Sequence, residues 1–371
     1  MVGPDTQRSS EHREAGSGRL VYLCYGDSER HWLELRASLL SALRHLPCEC
    51  GVTVVVATDR PERVHALGLD VEVADLEAAA LARWRGRHDY NHRIKNAVVP
   101  WLLDRYEAPV CLVDTDTFFI ASPVKLFDRV GPGRALMHAP ESPGAGEHIA
   151  RALDGVTFRS PLGGAWRFVE GGVDVWNSGV IGVDPADRAV LDEVLWLSDE
   201  VYDRAKIFNV EQFAFAQVLL RRTDVSKADD VVVHYWGAYR PFFHVRARRA
   251  FARVEGGSVE EQVAVTADLH AAPPRHPTLR RLSLRLWRWW RGHDARVLSA
   301  ALAAVAGDPR RPGDPDLQRI WRDLARMWME EADAVEIARS SRWFAGVRDA
   351  ASLELLDQGE RERWRQLWER P

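Results

Sequence analysis

Two aspartates, Asp114 and Asp116, follow a run of four apolar residues at positions 110–113. Where a buried strand emerges into a loop, carboxylates two residues apart can both face one ligand. Such a pair suits a hard divalent cation held by oxygen ligands, and that cation can in turn hold a diphosphate. Because Asp-x-Asp also occurs in ordinary acidic turns, its interpretation depends on polar segments further along the chain.

Three later segments could complete such a site: Trp176-Asn177-Ser178-Gly179, Glu211-Gln212, and the run His234-Tyr-Trp-Gly237-Ala-Tyr-Arg240-Pro241. The last segment directly follows three valines at 231–233, a short strand pattern. A neutral imidazole beside two carboxylates suits Mn²⁺ better than Ca²⁺. A guanidinium offers a planar fork of donors that matches phosphate oxygens. The sequence therefore contains the parts of a metal and phosphate site.

The elements that must position these residues alternate between strand and helix in the first 113 residues. Residues 20–24, 52–57, 71–73 and 110–113 are apolar runs typical of strands, whereas 32–46 and 93–106 have helical spacing. This alternation predicts an α/β fold, Rossmann-like, with a mostly parallel sheet. Ligands of such sheets bind beyond the carboxyl ends of the strands. Gly26-Asp27, Asp59 and the Asp114–Asp116 pair all follow strands and are expected at that edge.

The second half of the chain has a different pattern. Residues 140–164 are rich in Gly and Pro, as in a long functional loop. Residues 173–183 indicate strand, turn and strand around Asn177-Ser178-Gly179, and helices are predicted at 185–205 and 210–220. From about residue 245 the chain becomes helical and rich in Arg, Trp and Ala, with a linker at 307–315.

Composition excludes several classes of protein. The chain has 371 residues and a net charge of −4, so no overall basic field favours nucleic acid as a partner. No segment approaches the ~20 apolar residues of a membrane span. Residues 1–18 are polar, lack the apolar stretch of a signal peptide and are expected to be disordered. The four cysteines form no metal-binding spacing, and we expect reduced thiols in a cytoplasmic protein.

The four motifs, taken in order and spacing, resemble those of retaining glycosyltransferases of the glycogenin and lipopolysaccharide-galactosyltransferase type. The resemblance covers residues 20–243 and implies a GT-A fold, a Rossmann-like domain that binds a nucleotide-diphospho-sugar. With the polar composition of residues 1–18 and the helical pattern after residue 245, the prediction is a disordered segment at 1–18, a GT-A domain at 19–245 and a helical C-terminal region at 246–371. The implied activity is hexosyl transfer, with retention, from a nucleotide sugar such as a UDP-sugar to a hydroxyl acceptor.

The resemblance also implies roles for individual residues. Asp114, Asp116 and His234 would hold Mn²⁺ or Mg²⁺, and Asp114 would also bind the ribose. Glu211 and Gln212 would lie near the anomeric carbon, where the family has Asp-Gln. The donor sugar would be lined by Asn177, Ser178 and Gly179. The nucleotide and diphosphate would meet Tyr25, Gly26, Asp27, Arg93, Lys95, Asp114, Gly237 and Arg240.

Three of these assignments carry a reservation from the residue chemistry. Arg93 and Lys95 stand at i and i+2 of a predicted helix, so they cannot share one face, and only one is expected at the nucleotide. The family more often has Lys where Arg240 stands, so the cation is kept but its geometry changes. Glu211 is one methylene longer than the family's Asp, which affects donor selectivity.

Each motif also has an ordinary structural interpretation. A lone histidine after a strand is more often a core or surface residue, and Asn177-Ser-Gly179 could be a plain hairpin turn. Glu211 and Gln212 could form the solvated face of a helix. Trp166, Trp176 and Trp236 could stack on sugar rings, although aromatic side chains usually pack in cores.

Three alternative functions remain open at this point. A haloacid-dehalogenase-type phosphatase also has Asp-x-Asp after a strand, but Phe118 stands where that class has Thr or Val. The chain could be a GT-A-shaped binding or scaffold protein without turnover, as the changes at Glu211 and Arg240 allow. A GT-A enzyme that inverts the anomeric centre is the third possibility.

The acceptor is expected to be a glycan, a lipid-linked sugar or a protein. Residues 279–291 would place Leu and Trp on one face of a helix and five arginines around the rest. Such a helix could lie on an anionic membrane surface, which would make the protein peripheral at the inner face of a membrane. Docking of the same face within the protein is the simpler interpretation.

Overall fold

The computed structural model describes residues 18–169, 171–274, 295–330, 344 and 355–368. Disorder was predicted for residues 1–18; residues 1–17 lie outside the described residues, whereas Gly18 begins the first strand. The amphipathic helix predicted at 279–291 also lies outside the described residues. Among the helices described, none is long and apolar enough to cross a bilayer.

The chain forms two compact units. The first consists of residues 18–234 together with 253–268, and the second of residues 235–252 together with those from 269 onward. The predicted boundary at residue 245 falls inside a continuous helix, Arg240–Ala252. The chain therefore leaves the first unit directly after His234, before this helix begins. It returns to the first unit at residues 253–268, which include a short helix, Val259–Val265.

A seven-stranded sheet is the centre of the first unit. Its strands are β1 (Gly18–Leu23), β2 (Val52–Thr58), β3 (Glu72–Asp75), β4 (Val110–Val113), β6 (Arg134–Pro140), β9 (Trp176–Val183) and β10 (Asp224–Lys227). The order across the sheet is β10-β6-β9-β4-β1-β2-β3. Within it, β9 runs antiparallel to β4 and β6, and the other described pairings are parallel. The predicted α/β class with a mostly parallel sheet is confirmed.

Short strands and helices complete the first unit. Two small sheets pair β5 (Thr117–Phe119) with β11 (Val232–His234) and β7 (Phe158–Arg159) with β8 (Ala165–Trp166). The helices are α1 (Glu29–His45), α2 (Pro61–His65), α3 (Ala78–Trp84), α4 (Arg93–Tyr106), α5 (Val124–Phe127), α6 (Glu147–Ala152), α7 (Arg188–Ala205), α8 (Val210–Arg222) and, after α9 (Arg240–Ala252) of the second unit, α10 (Val259–Val265).

The strand order creates a crevice at one edge of the sheet. From β1 the chain crosses to β2 and β3 on one side, and then returns to β4 on the other side of β1. In doubly wound sheets, ligands bind outside the carboxyl ends of the strands at such a reversal. The carboxyl end of β1 leads to Tyr25, and that of β4 leads to Asp114. These two residues therefore flank the crevice.

The segment around Asn177 differs from the prediction. Residues 176–183 form one continuous strand, β9, so the predicted turn at Asn177-Ser178-Gly179 is wrong. The backbone N–H of Gly179 is hydrogen-bonded to the Asn177 side chain, at 2.9 Å, as in an Asx turn. The chain nevertheless stays extended, because β9 is paired with β4 on one side and β6 on the other.

Apolar side chains bury both faces of the sheet. One cluster includes Val21, Leu112, Ile181 and Phe213, and another includes Leu20, Leu39, Val113 and Phe119. In the second unit, α9 precedes three described helices, Ala295–Ala306, Pro315–Glu330 and Gln358–Trp368. Phe242 packs there on Trp321, with ring centroids 4.8 Å apart. The second unit thus has its own core.

Candidate metal centre

Three side chains of the first unit converge on one point: Asp114, Asp116 and His234. One ligand atom from each lies within 4.8 Å of the other two. The His234 Nε2 atom is 3.2 Å from Asp116 Oδ1 and 4.0 Å from Asp114 Oδ2. Two carboxylates and an imidazole nitrogen are ligands that suit Mn²⁺ or Mg²⁺. We call these three residues the metal cluster.

The pairing of strands explains why these distant residues meet. Asp114 directly follows β4, and its backbone N–H donates to the carbonyl of Gly179 on β9, at 2.9 Å. Asp116 directly precedes β5. In the antiparallel pairing of β5 with β11, His234 lies opposite Thr117. This pairing brings His234, the last residue of β11, beside Asp116, which precedes β5.

The His234 ring packs closely against β9. Its Nδ1 atom is 2.8 Å from Asn177 Oδ1. A Cβ atom at position 179 would collide with the ring, so glycine is the residue that leaves room for it. The His234 side chain is only 7% exposed, so its orientation is set by these neighbours.

The two basic residues in the first turn of α4 have different partners. Lys95 Nζ lies 2.6 Å from Asp114 Oδ1 and 2.8 Å from the carbonyl of Ser178. Arg93 instead forms a two-bond ion pair with Asp199, at 2.5 and 2.8 Å, and donates to the carbonyl of Trp84. Residues at i and i+2 point to different sides of a helix. Lys95 therefore borders the metal cluster, whereas Arg93 joins α4 to α7.

The loop after β1 contains Tyr25, Gly26 and Asp27. Burial raises the pKa of the Tyr25 hydroxyl, a hydrogen bond with Asn91 opposes this shift, and the negative charge of Asp114 adds to it. Gly26 has a φ of +72°, and its N–H donates to Asp59 Oδ1 at 2.9 Å. Asp27 is exposed and accepts two hydrogen bonds from Arg60. Of these three residues, Tyr25 is the one whose pKa is affected by the charge of Asp114.

Glu211 and Gln212 lie in the first turn of α8, facing the Ser178 segment. The Ser178 hydroxyl donates to Glu211 Oε1 at 3.3 Å, and the Ser178 N–H donates to Gln212 Oε1 at 3.3 Å. Glu211 is 7% exposed, so it does not belong to a solvated helix face. Both residues are therefore joined to the strand that also contacts His234.

Two residues near this segment were missed by sequence reasoning. The hydroxyl of Tyr90 lies 3.2 Å from Glu211 Oε2 and 2.7 Å from the carbonyl of Phe208, and it accepts from the Glu211 N–H at 3.3 Å. Burial, together with the Glu211 carboxylate, raises the pKa of this hydroxyl, which keeps it protonated. Tyr90 stands in a segment without periodic pattern, so no sequence signal identified it.

The second missed residue is Glu141, which follows β6. Its Oε1 atom accepts from Asn177 Nδ2 at 2.9 Å and lies 3.5 Å from Gln212 Nε2. The Gly- and Pro-rich composition of residues 140–164 did indicate a functional loop. Nothing in that pattern distinguished Glu141 from the other polar residues of the segment.

The remaining predicted residues, Gly237 and Arg240, belong to the second unit. Gly237 has a φ of +88°, and its carbonyl accepts from the N–H of Arg240 at 3.1 Å. Arg240 is the first residue of α9. Trp166 of the first unit is buried, and its Nε1 donates to Glu193 at 2.9 Å, so it packs in the core.

No protein-family model matches the sequence, and no curated protein matches it. Among solved structures, the chain is similar to the WbbM bifunctional glycosyltransferase, with a TM-score of 0.44 and 14% identity over 68% of this chain. The match covers 50% of WbbM, so the chain spans half the length of that protein. It is also similar to mouse xyloside xylosyltransferase 1, with a TM-score of 0.41 and 14% identity over 57% of this chain and 84% of that one. Both matched proteins are glycosyltransferases.

Proposed function

We propose that this chain is a metal-dependent glycosyltransferase that uses a nucleotide-diphospho-sugar. The observation that carries the proposal is the convergence of Asp114, Asp116 and His234 within 4.8 Å, at the carboxyl edge of a doubly wound sheet. Carboxylate oxygens and an imidazole nitrogen fit Mn²⁺ or Mg²⁺. The bound cation would neutralise charge on the diphosphate as the nucleoside diphosphate leaves.

We propose that Lys95 and Tyr25 receive the nucleotide part of the donor. The ammonium of Lys95 is held beside Asp114 by the carbonyl of Ser178, so its position is fixed before a ligand arrives. A fixed cation at this position stabilises negative charge that grows on a leaving phosphate. We assign the nucleotide side of the crevice to Lys95, Tyr25 and Asp114. Arg93, which is paired with Asp199, is not part of this assignment.

Ser178, Glu211 and Gln212 form the proposed sugar side of the site. During glycosyl transfer the sugar becomes oxocarbenium-like, and a carboxylate or amide oxygen nearby stabilises that charge. Glu211 is held by Tyr90 and Ser178, and Gln212 by the backbone of Ser178. These hydrogen bonds orient both side chains without help from a substrate. We assign Glu211 or Gln212 to the face of the reacting sugar.

We propose a hexose as the donor sugar, UDP as the nucleotide, and a hydroxyl of a glycan, lipid-linked sugar or protein as the acceptor. We also propose retention of the anomeric configuration. All four assignments come from the motif resemblance. Proton NMR of the first product tests retention, because an α-linked donor should then give an α-linked product. A β-linked product would contradict it.

The experiment that tests the function is a panel of nucleotide sugars, each assayed with and without Mn²⁺. A ligand that binds only the folded chain raises its thermal midpoint, and turnover releases free nucleoside diphosphate. We expect one nucleotide sugar both to raise the thermal midpoint and to release nucleoside diphosphate, and to do so only when Mn²⁺ is present. Binding without release would favour a scaffold protein. Release of inorganic phosphate alone would favour a phosphatase, and neither binding nor release across the panel would contradict the proposal.

A further inference from the structure

Asn177 lies between the metal cluster and the Glu141 carboxylate. Its Oδ1 atom is 2.8 Å from His234 Nδ1 and 2.9 Å from the N–H of Gly179. Its Nδ2 atom donates to Glu141 Oε1 at 2.9 Å. Asn177 is 6% exposed, so these contacts are shielded from water. The three contacts form a chain of hydrogen bonds from Glu141 through Asn177 to His234.

Only one orientation of the Asn177 amide satisfies these neighbours. The backbone N–H of Gly179 is a donor and requires an oxygen opposite it, whereas the ionised Glu141 carboxylate only accepts and requires the NH₂ group. A flipped amide would place donor against donor on one side and acceptor against acceptor on the other. Glu141 and Gly179 therefore both hold the Asn177 oxygen toward His234.

This orientation determines the state of the His234 ring. Because an amide oxygen only accepts, His234 Nδ1 must carry a proton that it donates to Asn177. In the neutral ring Nε2 then carries the lone pair, and Nε2 is the atom that faces Asp116 and Asp114. A hydrogen bond from the second ring nitrogen commonly fixes the tautomer and the orientation of a metal-binding histidine. Both acceptor positions of Asn177 Oδ1 are used by Gly179 and His234.

We propose that Asn177 is a positioning residue for the metal cluster, and that Glu141 holds its amide in place. This inference rests on the metal site of the proposed function. It assigns Asn177 to the second layer around the cation, rather than to the donor sugar that the motif resemblance implied. Loss of such an outer hydrogen bond commonly weakens metal binding about 10- to 100-fold.

The test measures binding of Mn²⁺ alone to the full-length chain, by the electron paramagnetic resonance signal of free Mn²⁺. In Asn177→Ala the dissociation constant should rise at least about 10-fold, because the His234 tautomer is no longer fixed. In Asn177→Asp two carboxylates would stand in contact, and affinity should also fall, because like charges at this distance cannot both stay ionised and hydrogen-bonded. In Glu141→Gln the new amide oxygen can still accept from Asn177, so affinity should stay within about threefold.

The double variant Asn177→Asp with Glu141→Gln separates positioning from general damage. It keeps the net charge of the pair. The amide introduced at position 141 can donate to the carboxylate introduced at position 177, while that carboxylate still accepts from His234. Affinity should return to within about threefold of the wild type. A general packing defect at either position would not be rescued by the second change.

Thermal midpoints without Mn²⁺ establish that each variant is folded. The control variant is Gln217→Ala, which also loses an amide hydrogen bond, here to the Asp174 carbonyl. If wild-type chain binds Mn²⁺ and Asn177→Ala binds it equally well, only this inference fails. Failure of the double variant to recover affinity lost by Asn177→Asp would also overturn it. If wild type and Asp116→Asn bind Mn²⁺ equally poorly, the metal site of the proposed function is contradicted, and this inference is contradicted with it.

Discussion

Two groups of carboxylates in the first unit are arranged in opposite ways. At the metal cluster, acceptor atoms of Asp114, Asp116 and His234 point toward one another. At Glu193, a completely buried residue of α7, donors surround a single carboxylate. These donors are Arg222 at 2.7 and 2.9 Å, Trp166 Nε1 at 2.9 Å and the Ser160 hydroxyl.

The difference indicates what each group does. Burial alone would raise the pKa of Glu193, but the hydrogen bonds from Arg222, Ser160 and Trp166 outweigh burial and lower it. The hydrogen bonds of Glu193 therefore connect α7, to which it belongs, with the β7–β8 hairpin and with α8. The metal cluster instead brings together two carboxylates and an imidazole, and Asp114 is also paired with Lys95. Such a set of side chains suits a divalent cation. We therefore expect the Glu193 group to stabilise the fold and the metal cluster to act in ligand binding.

Glu193→Gln should have the largest effect and should act on stability. The change leaves Arg222 without its ionic partner, and breaking a buried ion pair costs about 3 kcal/mol. Such losses are commonly about 3 to 5 kcal/mol, and the lower value applies here because the Arg222 side chain is 27% exposed. Urea denaturation measures the effect. Asp192→Asn, an exposed carboxylate of α7 paired with Arg188, is the control and should cost less than about 1 kcal/mol. Equal losses in the two variants would contradict the comparison.

The stability defect of Glu193→Gln should depend on pH. Because the folded state lowers the pKa of Glu193, the carboxylate stabilises the protein above its unfolded pKa of about 4.3, and this contribution is lost as the pH falls further. The difference in unfolding free energy between wild type and variant should therefore be full at pH 7 and shrink below about pH 4. Denaturation curves at both values test this expectation. A constant difference would show that the charge of Glu193 is not involved.

Asp116→Asn should affect activity. It keeps the shape of the side chain but removes one charged ligand, and we expect transfer to fall about 10²-fold or more, which equals about 2.7 kcal/mol. Asp230→Asn, which changes an exposed carboxylate paired with Arg129, should leave transfer unchanged. Release of nucleoside diphosphate at saturating donor and Mn²⁺ is the measurement. Full activity of Asp116→Asn would contradict the difference in role between the metal cluster and the Glu193 group.

Tyr90→Phe should have the smallest effect. The hydroxyl accepts from the Glu211 N–H and lies 3.2 Å from the Glu211 carboxylate, so its loss should slow transfer about 10-fold, or about 1.4 kcal/mol, with little change in Mn²⁺ affinity. Tyr202→Phe is a matched control, because the Tyr202 ring stacks on Tyr90 at 4.1 Å and is retained in the variant. A loss of Mn²⁺ affinity in Tyr90→Phe, or equal rates for the two variants, would contradict the role assigned to Tyr90.

Local pattern was sufficient to predict most of the sheet and four of the helices, α1, α4, α7 and α8. The β-branched run predicted at 52–57 and the helical spacing at 93–106 appear as β2 and α4, because periodicity and propensity agree there. The segment at Asn177-Ser178-Gly179 was mistaken for a turn because Asn and Gly favour turns locally. Pairing with β4 and β6, which no local pattern reveals, keeps it extended.

Local pattern grouped the candidate site residues that follow strands, whereas Lys95, Glu211 and Gln212, which lie in helices, came from the motif resemblance. Asp114, Asp116 and His234 could be grouped because each adjoins an apolar run that ends near the sheet edge. Tyr90 and Glu141 act through contacts with residues 121 and 36 positions away, respectively. Such contacts depend on tertiary packing, and the sequence around these two residues has no periodic or motif signal.

The most direct test of the metal cluster is a crystal of the full-length chain grown with Mn²⁺ and a nucleoside diphosphate, measured near the manganese absorption edge. We expect one anomalous peak within about 2.5 Å of oxygen atoms of Asp114 and Asp116 and of His234 Nε2, and none in a crystal of Asp116→Asn. A peak elsewhere, or bound nucleotide with no metal at these three residues, would contradict the account.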